Sequence, residues 1–189
     1  MRKKIIEESI DLFDKKGFNK TSIQNIVDSI GVTKGTFYYY FNSKQELLRD
    51  IHLSYIQELL YEQETIIKNE NSNSKEKISK IVYLIISKIK TQGKSARVFN
   101  REMRHLEDAH IHQVNLYRRK FRTNFQKLIS EGIEAKEFRN DLKTDIVTFG
   151  ILGMVNRSYN WLNPDGEISE EELTNIYLEL IVNGLKNIS

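Results

Sequence analysis

Cysteine is absent from all 189 residues, so neither a disulfide nor a thiolate metal site can contribute to the fold or its chemistry. A single proline, Pro164, and only nine glycines leave few of the breaks that bound strands and hairpins, which favours a mostly helical chain. No apolar run approaches the length of a membrane span, and Glu7, Glu8 and Asp11 interrupt any signal-like stretch in the opening MRKKIIEESIDLF. These absences lead us to expect a cytoplasmic chain without a membrane partner. A formal net charge of +3 is too small to announce a nucleic-acid binder by itself.

Chemical motifs are equally scarce. There is no HExxH, no P-loop, no dinucleotide fingerprint and no Gly-x-Ser-x-Gly, so neither an enzyme nor a cofactor is expected. His105, His110 and His112 cluster with Glu102 and Asp108. However, His110 and His112 stand two apart and point to different sides of a helix, so no metal site is expected.

What the chain does have is concentrated in residues 21–47, TSIQNIVDSIGVTKGTFYYYFNSKQEL. Thr21-Ser22-Ile23-Gln24 has the form of a capping box, and Ile23, Ile26, Val27 and Ile30 follow at helical spacing. Gly31 sits where the chain must leave that helix with a positive φ, and Thr33 can cap the next one. That short helix carries Phe37 and Phe41 as a core-facing pair. Gly35, Thr36 and Tyr39 fall on the other side, Lys34 at the tip and Tyr38 on the shoulder. Ser43-Lys44-Gln45-Glu46 is a second capping box. Two helices joined by a glycine turn, the second short and polar on its outer face, make a helix-turn-helix.

Such a motif reads major-groove edges with its second helix while neighbouring residues hold phosphates. This assigns Lys34, Thr36 and Tyr39 to bases or adjacent backbone, with Thr33 at the helix tip and Gly35 allowing close approach. Tyr38 and Lys44 would hold phosphates, and Thr21, Ser22 and Gln24 would add contacts from the preceding helix. Tyr40 would be partly structural. Residues 33–44 contain Lys34 and Lys44 and no acid, a local balance that matters more to phosphate than the sum over the chain.

Around this motif the periodicity predicts a first helix over 3–16, with Ile6, Ile10 and Phe13 as its core stripe and Ile5 and Leu12 beside it. Gly17 would end that helix and fold Phe18 back onto Phe13. A long helix from 44 to 68 would link two parts of the chain, before the polar loop 69–74. Helices at 75–91, 95–106, 109–134, 144–161 and from Ser169 onward complete an all-α chain of about nine helices. A helix-turn-helix domain over 1–46 would precede a larger helical ligand-binding and dimerisation domain over 47–189. Arg97, Arg101 and Arg104 form a cationic stripe, extended by Arg118, Arg119, Lys120 and Arg122, which suits either a solvated, salt-bridged face or an anion site. The helix at 144–161 is apolar nearly all round and carries Gly150 and Gly153. With the stripe Leu173, Ile176, Tyr177, Leu180, Ile181, Gly184 and Leu185 it offers more apolar surface than a monomer comfortably exposes. Two such helices from each of two copies would close a four-helix bundle about a two-fold axis.

GVTKGTFYYYFNSKQEL resembles the signature of the tetracycline-repressor (TetR) family of transcription regulators, motif element by motif element over the first quarter of the chain. The resemblance implies a homodimer formed through the last two helices, bound to a near-palindromic double-stranded operator and released by a small effector. GMVNRSYNWLNPDGEISEEEL is similar to a subgroup of these repressors that answers to fatty acyl-CoA, through Asn156, Trp161, Pro164, Gly166, Ser169 and Glu172. Arg157 departs from that pattern. On this reading Arg97, Arg101, Arg104 and Arg118 would meet CoA phosphates, while Asn156 and Trp161 would line the effector site. Two other readings stand beside it: an efflux regulator answering drugs or other lipophiles, and a DNA-binding protein of this fold that acts structurally without a ligand.

Overall fold

The computed structural model describes residues 1–163 and 165–186; Pro164, one of the residues that carry the resemblance to the acyl-CoA subgroup, lies outside the described residues. Among the described residues every regular element is helical: α1 (Arg2–Lys16), α2 (Ile23–Ile30), α3 (Lys34–Tyr40), α4 (Lys44–Ile67), α5 (Ser74–Thr91), α6 (Gly93–Arg101), α7 (Asp108–Glu134), α8 (Thr144–Arg157) and α9 (Glu170–Leu185). Short 3-10 turns at Met103–His105 and Ser158–Asn160 follow α6 and α8. None of these helices is long and apolar enough to cross a membrane.

The chain forms two compact units, Met1–Gln57 with Lys94–Tyr117, and Glu58–Gly93 with Arg118–Ser189. This differs from the expected single boundary after residue 46: α4 contributes to both units, and α6 joins the helix-turn-helix. The cause lies in the side chains of α6. Lys94 pairs with Asp11 of α1 at 2.8 Å, Arg97 and Arg101 both pair with Asp14, and Phe99 packs 4.8 Å from the Tyr55 ring of α4.

In the first unit, α1 buries Ile5, Ser9, Leu12 and Phe13, whereas Ile6 and Ile10 are only half-buried. The core stripe is therefore rotated from the expected one. Its centre is Ser9, a polar residue that an apolar pattern passes over and whose hydroxyl is satisfied by the Ile5 carbonyl at 2.6 Å. Gly17 ends α1 at φ 81, and Phe18 does fold back, its ring 5.3 Å from Phe13 and edge-on to it. Phe37, Phe41, Ile26, Val27, Leu47 and Leu48 complete the buried cluster, each large side chain contributing on the order of 1.5–3 kcal/mol.

In the second unit α5 is central. Ile78, Ile81, Val82, Ile85, Ile86 and Ile89 are buried because α5 packs against both α8 and α9. Its start is doubly capped. Asn73 and Glu76 form a reciprocal box, and the Glu137 carboxylate accepts the Ser74 and Lys75 N–H groups at 3.2 and 3.0 Å. After α7 the chain turns through Lys136, at φ 60, and lays the Phe138 ring over Gly132, where a β-carbon would collide with it.

Helix α9 separates its apolar residues into two faces. Leu173, Tyr177, Ile181 and Leu185 point inward, while Ile176 and Leu180 are exposed beside Gly184. Helix α8 does the same, with Ile151, Leu152 and Val155 buried and Ile146, Phe149, Gly150 and Gly153 outward. Between them runs an open groove of about 310 Å³ whose lining includes Arg139, Val147, Gly150, Met154, Leu180 and Gly184.

Candidate nucleic-acid interface

The short helix α3 is built for display. Thr33 caps it by accepting the Thr36 N–H at 3.4 Å, and Phe37 and Phe41 anchor it from below with ring centroids 5.7 Å apart. The preceding turn depends on Gly31, which sits in the left-handed region at φ 71, ψ 38 and gives its N–H to the carbonyls of Asp28 and Val27. Lys34, Gly35, Tyr38 and Tyr39 are exposed and Thr36 is half-buried. Tyr39 is 80% exposed, the most of any large apolar side chain among the described residues, and its ring stands edge-on against Tyr40 at 4.8 Å. A β-carbon at Gly35 would make only ordinary contact, at 3.5 Å from the Thr33 hydroxyl. Nothing inside the protein demands a glycine there.

Two of the expected contact residues are engaged internally. Thr21 is fully buried, and its hydroxyl donates to the Gly17 carbonyl at 2.9 Å, with the Leu12 carbonyl at 3.4 Å. The capping box of α2 is one residue later than expected. Ser22 accepts the Asn25 N–H at 3.1 Å, and the Asn25 side chain accepts the Ser22 N–H at 2.9 Å. Thr21 is therefore a buried strut and Ser22 the exposed cap. Lys44 is likewise turned inward: its ammonium donates to the Phe18 and Thr21 carbonyls at 2.8 and 2.7 Å and lies 4.1 Å over the Phe18 ring. Burial pulls its pKa below the ordinary lysine value. Gln24 is exposed, and its amide donates to the Asp28 carboxylate at 2.6 Å.

The exit of α3 is held by a chain of charge-assisted contacts. Glu46 accepts both the backbone and the side-chain N–H of Asn42 at 2.8 Å and pairs with Arg49, which also grips Asp50. Arg2 reaches the same Asp50 at 2.6 Å and stacks over the Phe41 ring. The Asn42 backbone N–H, together with its amide and Arg49, draws the Glu46 carboxyl below the usual range. Sequence spacing did not single out Arg2, Asn42 or Arg49, because the network joins α1 to the α3–α4 turn across the fold.

The residues expected to meet an effector are divided between the units. Arg97 and Arg101 lie in the first and share the Asp14 carboxylate. Arg104 is not on their helix: α6 ends at Arg101, and Arg104 stands exposed on the following 3-10 turn with its Nε 3.3 Å from His105 Nε2. Arg118, Asn156 and Trp161 belong to the second unit. Arg118 is exposed on α7, Asn156 is half-buried on α8, and Trp161 is half-exposed beyond the 3-10 turn that ends the α8 segment at 160 rather than 161. The buried Ser158 hydroxyl meets the Tyr177 hydroxyl at 3.0 Å, fixing this corner.

Comparison with known proteins places this geometry. Residues 5–51 match the family described as bacterial regulatory proteins, tetR family, and residues 71–185 match the tetracyclin repressor-like C-terminal domain. The chain is 23% identical over 185 residues to the transcriptional repressor KstR2 of Mycolicibacterium smegmatis, covering 97% of this chain and 90% of that protein. The structure of the ketosteroid transcriptional regulator KstR2 of Mycobacterium tuberculosis superposes with a TM-score of 0.91 at 21% identity, over 99% of this chain and 95% of that one. The regulator FadR of Bacillus subtilis, solved in complex with stearoyl-CoA, gives a TM-score of 0.82 at 22% identity, over 98% of this chain and all of that one (100%). With the helix-turn-helix and the C-terminal domain both matched in order, the chain belongs to the tetR family of bacterial transcriptional regulators.

Proposed function

We propose that the protein is a ligand-responsive repressor that binds a near-palindromic operator as a homodimer and is released by a small lipophilic effector, best represented by a fatty acyl-CoA. The observation that carries the DNA half of this reading is the face of α3, with Lys34, Gly35 and Tyr39 outward above a rigid aromatic base. Lys34, Thr36 and Tyr39 read bases or the adjacent backbone; Ser22, Gln24, Thr33 and Tyr38 hold the flanks. Lys20, exposed just before the α2 cap, supplies the phosphate cation that Lys44 cannot.

The homodimer forms through the outward faces of α8 and α9. Support comes from their self-complementary relief: Ile146, Phe149, Ile176 and Leu180 are exposed knobs, while a β-carbon at Gly150, Gly153 or Gly184 would touch nothing within 4 Å. A two-fold axis sets the knobs of one copy over the bare backbone of the other, covering a patch a monomer would leave wet. Two α3 helices then meet half-sites spaced about 34–36 Å or a multiple of it.

The effector reading draws on FadR, which binds stearoyl-CoA, and on the order of Asn156, Trp161 and the Ser169 cap in this chain. Arg104, Arg118, Asn156 and Trp161 are its candidate contacts, while the Asp14 carboxylate holds Arg97 and Arg101. A ligand releases DNA only to the extent that it binds the non-binding state more tightly. Fluorescence anisotropy on the chain's own promoter region, titrated separately with stearoyl-CoA, CoA and stearate, tests this. Release by the thioester alone supports it; an operator complex untouched by all three removes the acyl-CoA assignment.

A further inference from the structure

The helix-turn-helix unit contains a stretch, 94–117, whose covalent neighbours on both sides, Gly93 and Arg118, belong to the other unit. Within it, residues 102–107 are fastened to the start of α4 and to the turn after α1. The Gln45 amide donates Nε2–H to the His105 carbonyl at 2.8 Å, and its Oε1 accepts the Glu107 N–H at 3.3 Å. Both ends of one carboxamide thus close on three consecutive residues. Glu102 is buried and accepts the Phe18 N–H at 3.3 Å. The His105 ring stacks on Phe18 at 6.0 Å, with Nδ1 3.4 Å from the Asn19 amide. Phe18 is also held by Lys44, which takes its carbonyl and covers its ring. Lys44 and Gln45 are consecutive, and only residues 41–43 separate them from α3.

We propose that residues 102–107 are a latch on the recognition helix. Gln45 and Glu102 are positioning residues for operator binding, and the second unit acts on α3 through this latch as well as along α4. The physical basis is that a polar clasp has two discrete states. Closed, it satisfies the Glu107 and Phe18 N–H groups; opening it breaks both hydrogen bonds together, since one segment carries both contacts. By linkage, whatever opens the latch weakens operator binding, and the operator in turn holds the latch shut.

The inference rests on the operator-binding reading of α3, and the test separates the two. Amide hydrogen exchange of the full-length protein is measured with and without a saturating promoter duplex. Operator should slow exchange in α3 and also in 102–107, the latter by at least about fivefold, the lower end of ordinary allosteric coupling. Gln45→Ala should keep the slowing in α3 and lose it in 102–107, as should Glu102→Ala. Glu102→Gln, which retains an acceptor for the Phe18 N–H, should behave as the wild type. Operator that slows α3 while leaving 102–107 unchanged in the wild type overturns the latch, as does a Gln45→Ala variant that couples normally. A duplex that slows neither segment overturns the operator-binding reading itself.

Discussion

Arg97 meets Asp14 through two parallel hydrogen bonds, Nε to Oδ1 at 2.8 Å and Nη2 to Oδ2 at 2.6 Å, and Arg101 closes on the same carboxylate. With Lys94 on Asp11, this makes α6 part of the DNA-reading unit rather than the wall of an anion site. A stripe of three cations whose acids lie some eighty residues earlier looks identical, in sequence, to a stripe awaiting a phosphate.

Asp14→Asn should therefore destabilise the fold at neutral pH by about 1–3 kcal/mol, the range for a charge-assisted contact that is partly screened. Burial pushes the Asp14 carboxyl up, but Arg97 and then Arg101 pull it further down, below its ordinary value of 3.8. A depressed carboxylate contributes stability above its unfolded pKa and loses it as pH falls through the folded value. Urea unfolding should accordingly show the full wild-type advantage at pH 6–7, shrinking below about pH 4. An advantage constant down to pH 3 would mean the carboxylate charge is not its source.

Lys34 and Lys44 should part company. Lys34→Ala should leave stability within about 0.5 kcal/mol and lower the slope of log affinity against log salt by about one. Lys44→Met should lower stability by about 1–2 kcal/mol, because it takes the ammonium from the Thr21 carbonyl, leaves the Phe18 carbonyl with only the Thr21 N–H, and removes the Phe18 ring contact. Equal salt slopes for the two variants would return Lys44 to the DNA face.

Thr21→Val should likewise cost about 1–2 kcal/mol in unfolding experiments, through the lost Gly17 contact, without shifting the salt slope. Tyr39→Ala should do the reverse, weakening operator binding with unfolding almost unchanged, since its ring is mostly in solvent.

The helices and the turn at Gly31 were legible because helical period, capping residues and a left-handed glycine are local signals. Phe37 and Phe41, four apart, could be placed inward from spacing alone. Ser9 could not, because its burial is decided by what packs on α1. Thr21 and Ser22 are both hydroxyl residues, and only the Asn25 reciprocal bond shows which one caps. The inward turn of Lys44 depends on the Phe18 and Thr21 carbonyls, which a loop more than twenty residues earlier in the chain presents to it and which no spacing rule reveals. Phe138 over Gly132 escaped for the same reason: a long-range fit leaves no period.

Gly132→Ala should destabilise by about 1–3 kcal/mol, since the added methyl would collide with the Phe138 ring and press on Ser74. Gly35→Ala adds the same methyl to an equally helical position, in only ordinary contact with the Thr33 hydroxyl at 3.5 Å, and should not lower thermal stability. A melting temperature unaffected at position 132 would contradict the packing described for this corner.

Leu180→Glu, on the exposed stripe of α9, should convert a dimer to a monomer in sedimentation velocity while leaving the helical circular dichroism signal intact. Persistence of the dimer would move the interface away from α8 and α9.

The central claim is that α3 reads a specific operator, and its most direct test is equilibrium binding to duplex from the chain's own promoter region against a scrambled duplex, both near physiological salt. The account predicts specific binding at least about a thousandfold tighter than to the scrambled duplex, lost in Tyr39→Ala. Equal affinity for the two duplexes would contradict it.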